Sequence, residues 1–322
     1  MKTVARVVLG GLLAMGATGA WAQQYPARSV RIVVTLGPGS AGDLLTRLLA
    51  EPLGRSLGQT VIADNRPGAG GNLAAEIVAK APPDGYTLFL TTISTHGINP
   101  TLYTRLAFDP IKDFAPITLS ASSPNVLVVH PSMPVASVKQ LISFAKARPD
   151  ELTFSSGGAG TSQHMSGELF NLMAGVKTTH VPYKATPQSV AAVMGGEVVM
   201  SFASVPVAQA SVKAGKLRGL GVTSAKRVAA WPEMATIAES GLPGFDVAAW
   251  FGYSATGGTP PVIVNRLNEE FRKAQRDPAL REKLTAQGME VLESSPEEFA
   301  RYIREEIAKW AKVVKASGAR AD

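Results

Sequence analysis

The fold is decided by the stretch Val30-Arg31-Ile32-Val33-Val34-Thr35-Leu36-Gly37-Pro38-Gly39-Ser40-Ala41-Gly42-Asp43. Its β-branched first half predicts a strand, and an apolar stripe at helical spacing follows the stretch, formed by Leu44, Leu45, Leu48, Leu49 and Leu53. The order strand, glycine loop, helix places backbone N–H groups at the positive end of a helix, where an anion is stabilised. We therefore predict ligand contacts from the whole loop, which comprises Gly37, Pro38, Gly39, Ser40, Ala41, Gly42 and Asp43.

The same glycine spacing matches the fingerprint of dinucleotide-binding folds. Asp64 follows Gly42 by 22 residues, near the position of the acidic residue that binds a ribose in those folds. However, Asp64 leads directly into a second glycine loop, Asn65–Asn72, where a dinucleotide-binding unit would continue to its next helix. We therefore expect no nicotinamide cofactor, and the sequence predicts no other cofactor.

The N terminus has the composition of a secretory signal peptide. Lys2 and Arg6 precede an apolar or small run over residues 7–20, and Ala20-Trp21-Ala22 is a small-x-small cleavage site. The apolar run is too short for a membrane span, so an uncleaved anchor is the weaker alternative. We predict cleavage of residues 1–22 after Ala22, export to a bacterial periplasm, and a mature chain of about 300 residues.

Composition excludes several classes of protein. The chain has 322 residues, no cysteine and a formal net charge of +7. In an exported protein, the lack of cysteine excludes a disulfide framework, cysteine-ligated metal and thiol nucleophiles. Because the positive charge is spread along the chain, nucleic acid is not an expected partner. The length predicts two domains of comparable size, and we expect a monomer.

A second strand–glycine loop–helix unit lies about 120 residues after the first, with its loop at Ser155–Ser162. Short apolar runs alternate with helical stripes throughout, which predicts an α/β fold with mostly parallel strands. One loop on each domain would hold a small anion between two helix N termini, although a plain glycine-rich turn is the alternative for the second loop. Gly160 belongs to this predicted site. Hydroxyl groups would complete the hydrogen bonds of a carboxylate, namely those of Thr92, Ser94, Thr95, Ser156, Thr161 and Ser162.

The sequence offers little for catalysis. It contains no Gly-x-Ser-x-Gly motif, and its four histidines (His96, His130, His164 and His180) form no His-x-x-x-His pair. His164 with Glu168 supplies only two metal ligands on one helix face, so we predict no metal site. We expect His164 to hydrogen-bond the second loop or a ligand. Binding without chemistry is therefore the prediction, and an exported enzyme that uses His164 and a hydroxyl is the alternative.

Six motifs lie in order along the chain, and the first is Asp64-Asn65-Arg66-Pro67-Gly68-Ala69-Gly70-Gly71-Asn72. The others are Pro83-Asp84-Gly85-Tyr86-Thr87-Leu88, Asp109-Pro110-x-Lys112-Asp113-Phe114-x-Pro116, His180-Val181-Pro182-Tyr183-Lys184, Ala238-Glu239-Ser240-Gly241-Leu242-Pro243-Gly244 and Ser294-Ser295-Pro296-Glu297-Glu298-Phe299. With these motifs the chain resembles the Bug receptors, the periplasmic substrate-binding proteins of tripartite tricarboxylate transporters. The resemblance runs from Tyr25 to about Ser317.

The resemblance implies a type II periplasmic-binding-protein fold, a Venus flytrap of two α/β lobes joined by a hinge. Domain 1 would comprise residues 23–122 plus 247–322, and domain 2 residues 123–246, with strands crossing at Asn125–Val129 and Ala248–Tyr253. Two further residues, Tyr183 and Ser204, join the predicted ligand-binding set.

The resemblance also implies a ligand class and partners. The ligand would be a small carboxylate, and the partner would be the membrane subunits of a tripartite tricarboxylate transporter or, alternatively, a sensor kinase. This chain departs from the family where Ala185 replaces a usual glycine and Val199 a common aspartate. The departures leave the fold intact and weaken any transfer of one particular ligand.

Overall fold

The computed structural model describes residues 25–321, so the predicted signal peptide lies outside the described residues. Within this range the strands are β1 (Val30–Val34), β2 (Val61–Asn65), β3 (Thr87–Thr92), β4 (Phe114–Val129), β5 (Thr153–Ser156), β6 (Thr179–Pro182), β7 (Met200–Ser204), β8 (Arg218–Val222), β9 (Ala248–Thr256) and β10 (Glu290–Val291).

The helices of the same range are α1 (Ala41–Leu57), α2 (Asn72–Ala79), α3 (Asn99–Leu102), α4 (Val138–Lys146), α5 (Ser162–Ala174), α6 (Thr186–Met194), α7 (Val205–Lys213), α8 (Pro261–Gln275), α9 (Pro278–Ala286) and α10 (Pro296–Ser317). A short 3₁₀ turn covers Ala69–Gly71, and a π-helical turn covers Ser94–Ile98. Across residues 25–321, no helix has both the length and the apolar character that crossing a membrane requires.

The strands form two α/β lobes. In lobe one, β1 lies between β2 and β3 with parallel pairing, and β9 runs antiparallel to β3. In lobe two, β5 lies between β6 and β7, again with parallel pairing. The predicted class, a two-lobe α/β fold, is therefore confirmed. The sequence reading of mostly parallel strands holds for the centre of each lobe, whereas β4, β8, β9 and β10 pair antiparallel.

One long strand, β4, belongs to both lobes. Its first part pairs with β9 down to the register pair Pro124↔Ala248, and its second part pairs with β7 from Asn125↔Ser204 onward. The chain returns beside it, where the Val247 N–H donates to the Thr223 carbonyl at 2.9 Å. The strand predicted over 125–129 thus begins already at Phe114, and the exact domain boundaries stay a prediction.

Helix α10 fixes the C-terminal part of the chain on lobe one. Its capping box forms as the sequence predicts, because Ser295 accepts from the Glu298 N–H and the Glu298 carboxylate accepts from the Ser295 N–H. Its apolar stripe is buried at Phe299, Ile303, Trp310 and Val314. The indole N–H groups of Trp250 and Trp310 both donate to Glu306 at 2.8 Å, which ties α10 to β9.

Candidate ligand-binding site

A small closed cavity lies between the lobes, with a volume of about 20 Å³. Thirteen residues line it and none of them is charged: Leu36, Ala41, Thr92, Ile93, Ser94, Asn125, Thr161, Ser162, Gln163, Thr186, Ser204, Ala249 and Phe251. Lobe one contributes mostly apolar and threonine or serine side chains, and lobe two contributes only polar ones. The hinge strands β4 and β9 form the remaining wall.

Four helices begin at this cavity. Ala41, Ser162 and Thr186 are the first residues of α1, α5 and α6, and Ser204 is the N-cap of α7. Each helix N terminus carries partial positive charge from its unpaired N–H groups. Their convergence makes the cavity favourable for an anion although no lysine or arginine lines it.

Two buried polar atoms at the cavity have no hydrogen-bond partner within the described residues: Asn125 Oδ1 and Ser204 Oγ. Asn125 and Ser204 are register partners of β4 and β7, so their side chains share one face of the sheet. A buried polar group without a partner costs about 1–3 kcal/mol. A ligand can therefore offer the Ser204 hydroxyl an acceptor and the Asn125 Oδ1 a donor.

The side-chain amide of Asn125 also links the hinge to the second glycine loop. Its Nδ2 lies 3.3 Å from the hydroxyl oxygens of Ser162 and Ser166. Asn125 therefore connects the hinge strand β4 to the first turns of α5, where Ser162 lines the cavity.

The first glycine loop uses one of its backbone donors internally. Ser40 caps α1, and the Gly39 N–H donates at 2.9 Å to the carboxylate of Asp43 in the first turn of that helix. Arg47 and Asn65 donate to the same carboxylate at 3.0 and 2.9 Å. Burial raises the pKa of the Asp43 carboxyl, but these hydrogen bonds outweigh it and hold the pKa below its ordinary value. Asp43 therefore stabilises the loop from within.

Two histidines form hydrogen bonds with the second glycine loop. His164 Nδ1 accepts from the Gly160 N–H at 3.2 Å, and the rings of His164 and His180 stack with centroids 4.0 Å apart. His180 Nε2 lies 2.6 Å from the Ser156 hydroxyl. Burial, and then the neighbouring His164 ring, lowers the pKa of His180 to about 3, so His180 is neutral at neutral pH.

The contacts of His164 account for it without catalysis. Its second ring nitrogen lies 3.5 Å from a Glu168 carboxylate oxygen, so both nitrogens have partners in the wall of lobe two. In the described part of the chain, no group of three or more histidine, aspartate or glutamate side chains is arranged to hold a metal ion.

The predicted site residues fall into three groups. Those that line the cavity are Ala41, Thr92, Ser94, Thr161, Ser162 and Ser204. Those beside it, in the loops and their support, are Gly37, Ser40, Gly42, Asp43, Thr95, Ser156, Gly160 and His164. Pro38 and Gly39 are exposed, and Tyr183 turns its hydroxyl toward Glu197 at 3.4 Å.

Sequence reasoning missed seven lining residues: Leu36, Ile93, Asn125, Gln163, Thr186, Ala249 and Phe251. One of them carried a signal, because Asn125 is a lone amide directly before the apolar run Val126–Val129. Thr186 begins a helix and sits beside Gln163, whose Nε2 donates to its hydroxyl at 3.1 Å. The position of Thr186 at the cavity depends on how α6 packs beside the second loop, 23 residues after Gln163 in the sequence.

Sequence comparison finds one family model and several relatives that match most of this chain. The family model described as the tripartite tricarboxylate transporter family receptor matches residues 45–319. A protein encoded in the tcbD–tcbE intergenic region of Pseudomonas sp. strain P51 is 37% identical over 313 residues, covering 96% of this chain and 93% of that protein. The protein BugT of Bordetella pertussis is 34% identical over 300 residues, covering 93% of this chain and 92% of BugT.

Solved structures also superimpose on most of this chain. Rpa4515 of R. palustris, solved with adipate, superimposes with a TM-score of 0.89 at 39% identity, over 92% of this chain and 99% of that one. MatC of Rhodopseudomonas palustris, solved with bound malate, superimposes with a TM-score of 0.85 at 33% identity, over 90% of this chain and 100% of MatC.

Proposed function

This chain belongs to the tripartite tricarboxylate transporter receptor family, and from that premise we propose that it captures a small carboxylate between its two lobes. The family is one of periplasmic solute-binding receptors, and the proposal accordingly includes export, with cleavage after Ala22. The proposed partner of the closed receptor is the membrane part of a tripartite tricarboxylate transporter. Rpa4515 with adipate and MatC with malate support the ligand class.

One observation carries the proposal: four helix N termini meet at an uncharged cavity between the lobes. Backbone and hydroxyl donors in a water-poor site form strong hydrogen bonds with an anion, because the anion itself assists each bond. A neutral ligand of the same shape gains little from the helix dipoles. Selectivity for the charged carboxylate is therefore the expected property of this site.

The proposed mechanism is closure around the ligand. A Cβ atom at Gly37 would lie 3.2 Å from the Ala185 Cβ, so the two lobes already touch at the mouth of the cavity. A buried water needs about 10–15 Å³, so a cavity of about 20 Å³ holds one or two waters and no dicarboxylate. The lobes must therefore separate to admit a ligand, which then shifts the population toward a closed form by contacting both lobes.

The test is isothermal titration of the mature protein with adipate and malate, with the neutral diamides of both acids as matched controls. We expect heat and a raised melting temperature with at least one acid, and neither effect with the diamides. The bound acid should be recovered unchanged after prolonged incubation. Binding of a diamide as tight as that of its acid would contradict the proposed site, and turnover of the acid would favour an enzyme.

A further inference from the structure

The glycine segment Asn65–Asn72 does not line the ligand cavity, although it is the longest motif of the sequence. In the structure it forms a tight turn in lobe one. Gly70 has a φ of +63° there, and a Cβ atom at Gly70 would lie 2.6 Å from the Ala159 carbonyl oxygen of lobe two. The turn thus lies so close to the backbone of lobe two that a side chain at position 70 would clash with it.

Asn99 of lobe one holds this turn in place. Its Nδ2 donates to the Gly70 carbonyl at 3.1 Å and to Asn72 Oδ1 at 2.7 Å. The residue is fully buried, and its Oδ1 has no hydrogen-bond partner within the described residues.

The same oxygen faces lobe two. A Cβ atom at Gly160 would overlap Asn99 Oδ1, so the Cα–H of Gly160 points at this oxygen. Such Cα–H···O contacts are weak individually, but they require close approach of two backbones. Gly160 has a φ of +74° and lies in the second glycine loop, one residue before the cap of α5.

We propose that Gly70 and Asn99 of lobe one and the Ala159–Gly160 turn of lobe two form a closure latch. The two backbone surfaces meet only when the lobes are closed, and they lie beside the cavity. Since the cavity of this closed form is too small for a dicarboxylate, the latch slows the opening that admits one, with Asn99 as its positioning residue. This inference rests on the proposed function for its ligand and on cross-lobe geometry for its contacts.

The first test compares two alanine variants with nearly the same backbone strain. Gly160→Ala places a methyl group at φ +74°, against Asn99 and Leu102 of lobe one. Gly196→Ala places one at φ +73° with nothing within 4 Å. We expect Gly160→Ala to raise the association rate of adipate or malate at least tenfold in stopped flow. Gly196→Ala should change that rate less than twofold, and the ligand-free melting temperatures of the two variants should agree.

The second test needs no ligand. The chain has no cysteine, so Gly37→Cys with Ala185→Cys introduces the only thiols, at positions whose Cβ atoms lie 3.2 Å apart in the closed form. Disulfide Cβ–Cβ distances are about 3.5–4.5 Å, so the pair cross-links on closure with a shift of a few tenths of an ångström. Added Gly160→Ala should slow cross-linking at least fivefold, and added Gly196→Ala should not.

A variant of Asn99 tests the lobe-one side of the latch. Asn99→Ala removes the amide that holds the Gly70 turn, so it should slow cross-linking as Gly160→Ala does. Equal association and cross-linking rates for Gly160→Ala and Gly196→Ala would overturn the latch, as would unchanged cross-linking in Asn99→Ala. If wild type bound no acid, the proposed function would fail, while the cross-linking result would still decide the latch.

Discussion

The two glycine loops share one sequence plan and differ in what they offer a ligand. Both follow a parallel strand and open a helix, α1 in lobe one and α5 in lobe two. In the first loop an aspartate in the opening turn of the helix takes the Gly39 N–H. The second loop has no acidic residue in that turn, and Thr161, Ser162 and Gln163 line the cavity. An acidic residue at this position therefore distinguishes a loop whose donor is bonded internally from one whose residues line the cavity.

The largest expected effect comes from placing a charge at each helix cap. Thr161→Asp and Ser40→Asp both keep a good N-cap, but only Thr161 lines the cavity. A carboxylate at position 161 would place negative charge in the cavity and repel the proposed ligand, so adipate or malate affinity should fall more than 100-fold by titration. Ser40→Asp should change the affinity less than threefold. Equal losses in the two variants would remove the distinction between the loops.

The local elements in this comparison could be predicted from the sequence, because they depend on short-range patterns. The strand–loop–helix units and the capping box at Ser295 were predicted and formed, since short-range hydrogen bonds and spacing decide them. The structural role of Asp43 was not predicted: its ligand contact stays a prediction, and in the structure three donors surround its carboxylate. Its position in the first helical turn was the available signal.

The cavity wall itself was harder to predict. Asn125 and Ser204 lie 79 residues apart in sequence and meet only through the antiparallel register of β4 with β7. Thr186 reaches the cavity because α6 begins beside the second loop, where Gln163 contacts it. Such positions follow from strand register and helix packing, which local spacing does not specify.

The second prediction compares the asparagine that supports each loop. Asn125 joins the second loop through Ser162, and Asn65 joins the first by donating to Asp43 and to the Leu36 carbonyl, both at 2.9 Å. Asn125→Ala should lower ligand affinity about 20- to 50-fold, since it removes a cavity group as well as loop support; that loss equals about 2 kcal/mol. Asn65→Ala should lower the free energy of unfolding while affinity changes less than threefold. Titration calorimetry and urea unfolding of both variants measure the two quantities, and a larger affinity loss for Asn65→Ala would reverse the comparison.

The third prediction concerns Asp43 and pH. Its carboxylate is 3% exposed and its pKa is lowered, so its ionised form stabilises the folded state above the unfolded pKa of about 4. Asp43→Asn should lower the free energy of unfolding at pH 7 by about 1–2 kcal/mol. The difference from wild type should shrink as the pH falls through the lowered pKa of Asp43, because wild type then loses the same contribution.

Urea unfolding at pH 7, 5 and 3 checks this dependence. The matched control is Glu51→Gln on the same helix, where the carboxylate pairs with Arg55 but is 75% exposed. An exposed ion pair contributes about 0–1 kcal/mol, so this variant should remain close to wild type at each pH. A pH-independent loss for Asp43→Asn would show that shape, and not charge, holds the first loop.

The smallest expected effect belongs to Ser204, which occupies the N-cap position of α7 at the cavity and whose hydroxyl has no partner within the described residues. Ser204→Ala removes a buried group that costs free energy in the ligand-free protein, so the melting temperature should stay equal or rise slightly. Affinity should fall about three- to fivefold, because one hydrogen bond to the carboxylate is lost.

The control is Ser201→Ala on the same strand, because the Ser201 hydroxyl hydrogen-bonds the Ser189 hydroxyl at 3.0 Å and lies outside the cavity wall. That variant should lose stability and keep its affinity. If Ser204→Ala instead lost stability and kept its affinity, Ser204 would be a structural residue of lobe two, and the ligand contacts of that lobe would be reduced to the second loop, Gln163 and Thr186.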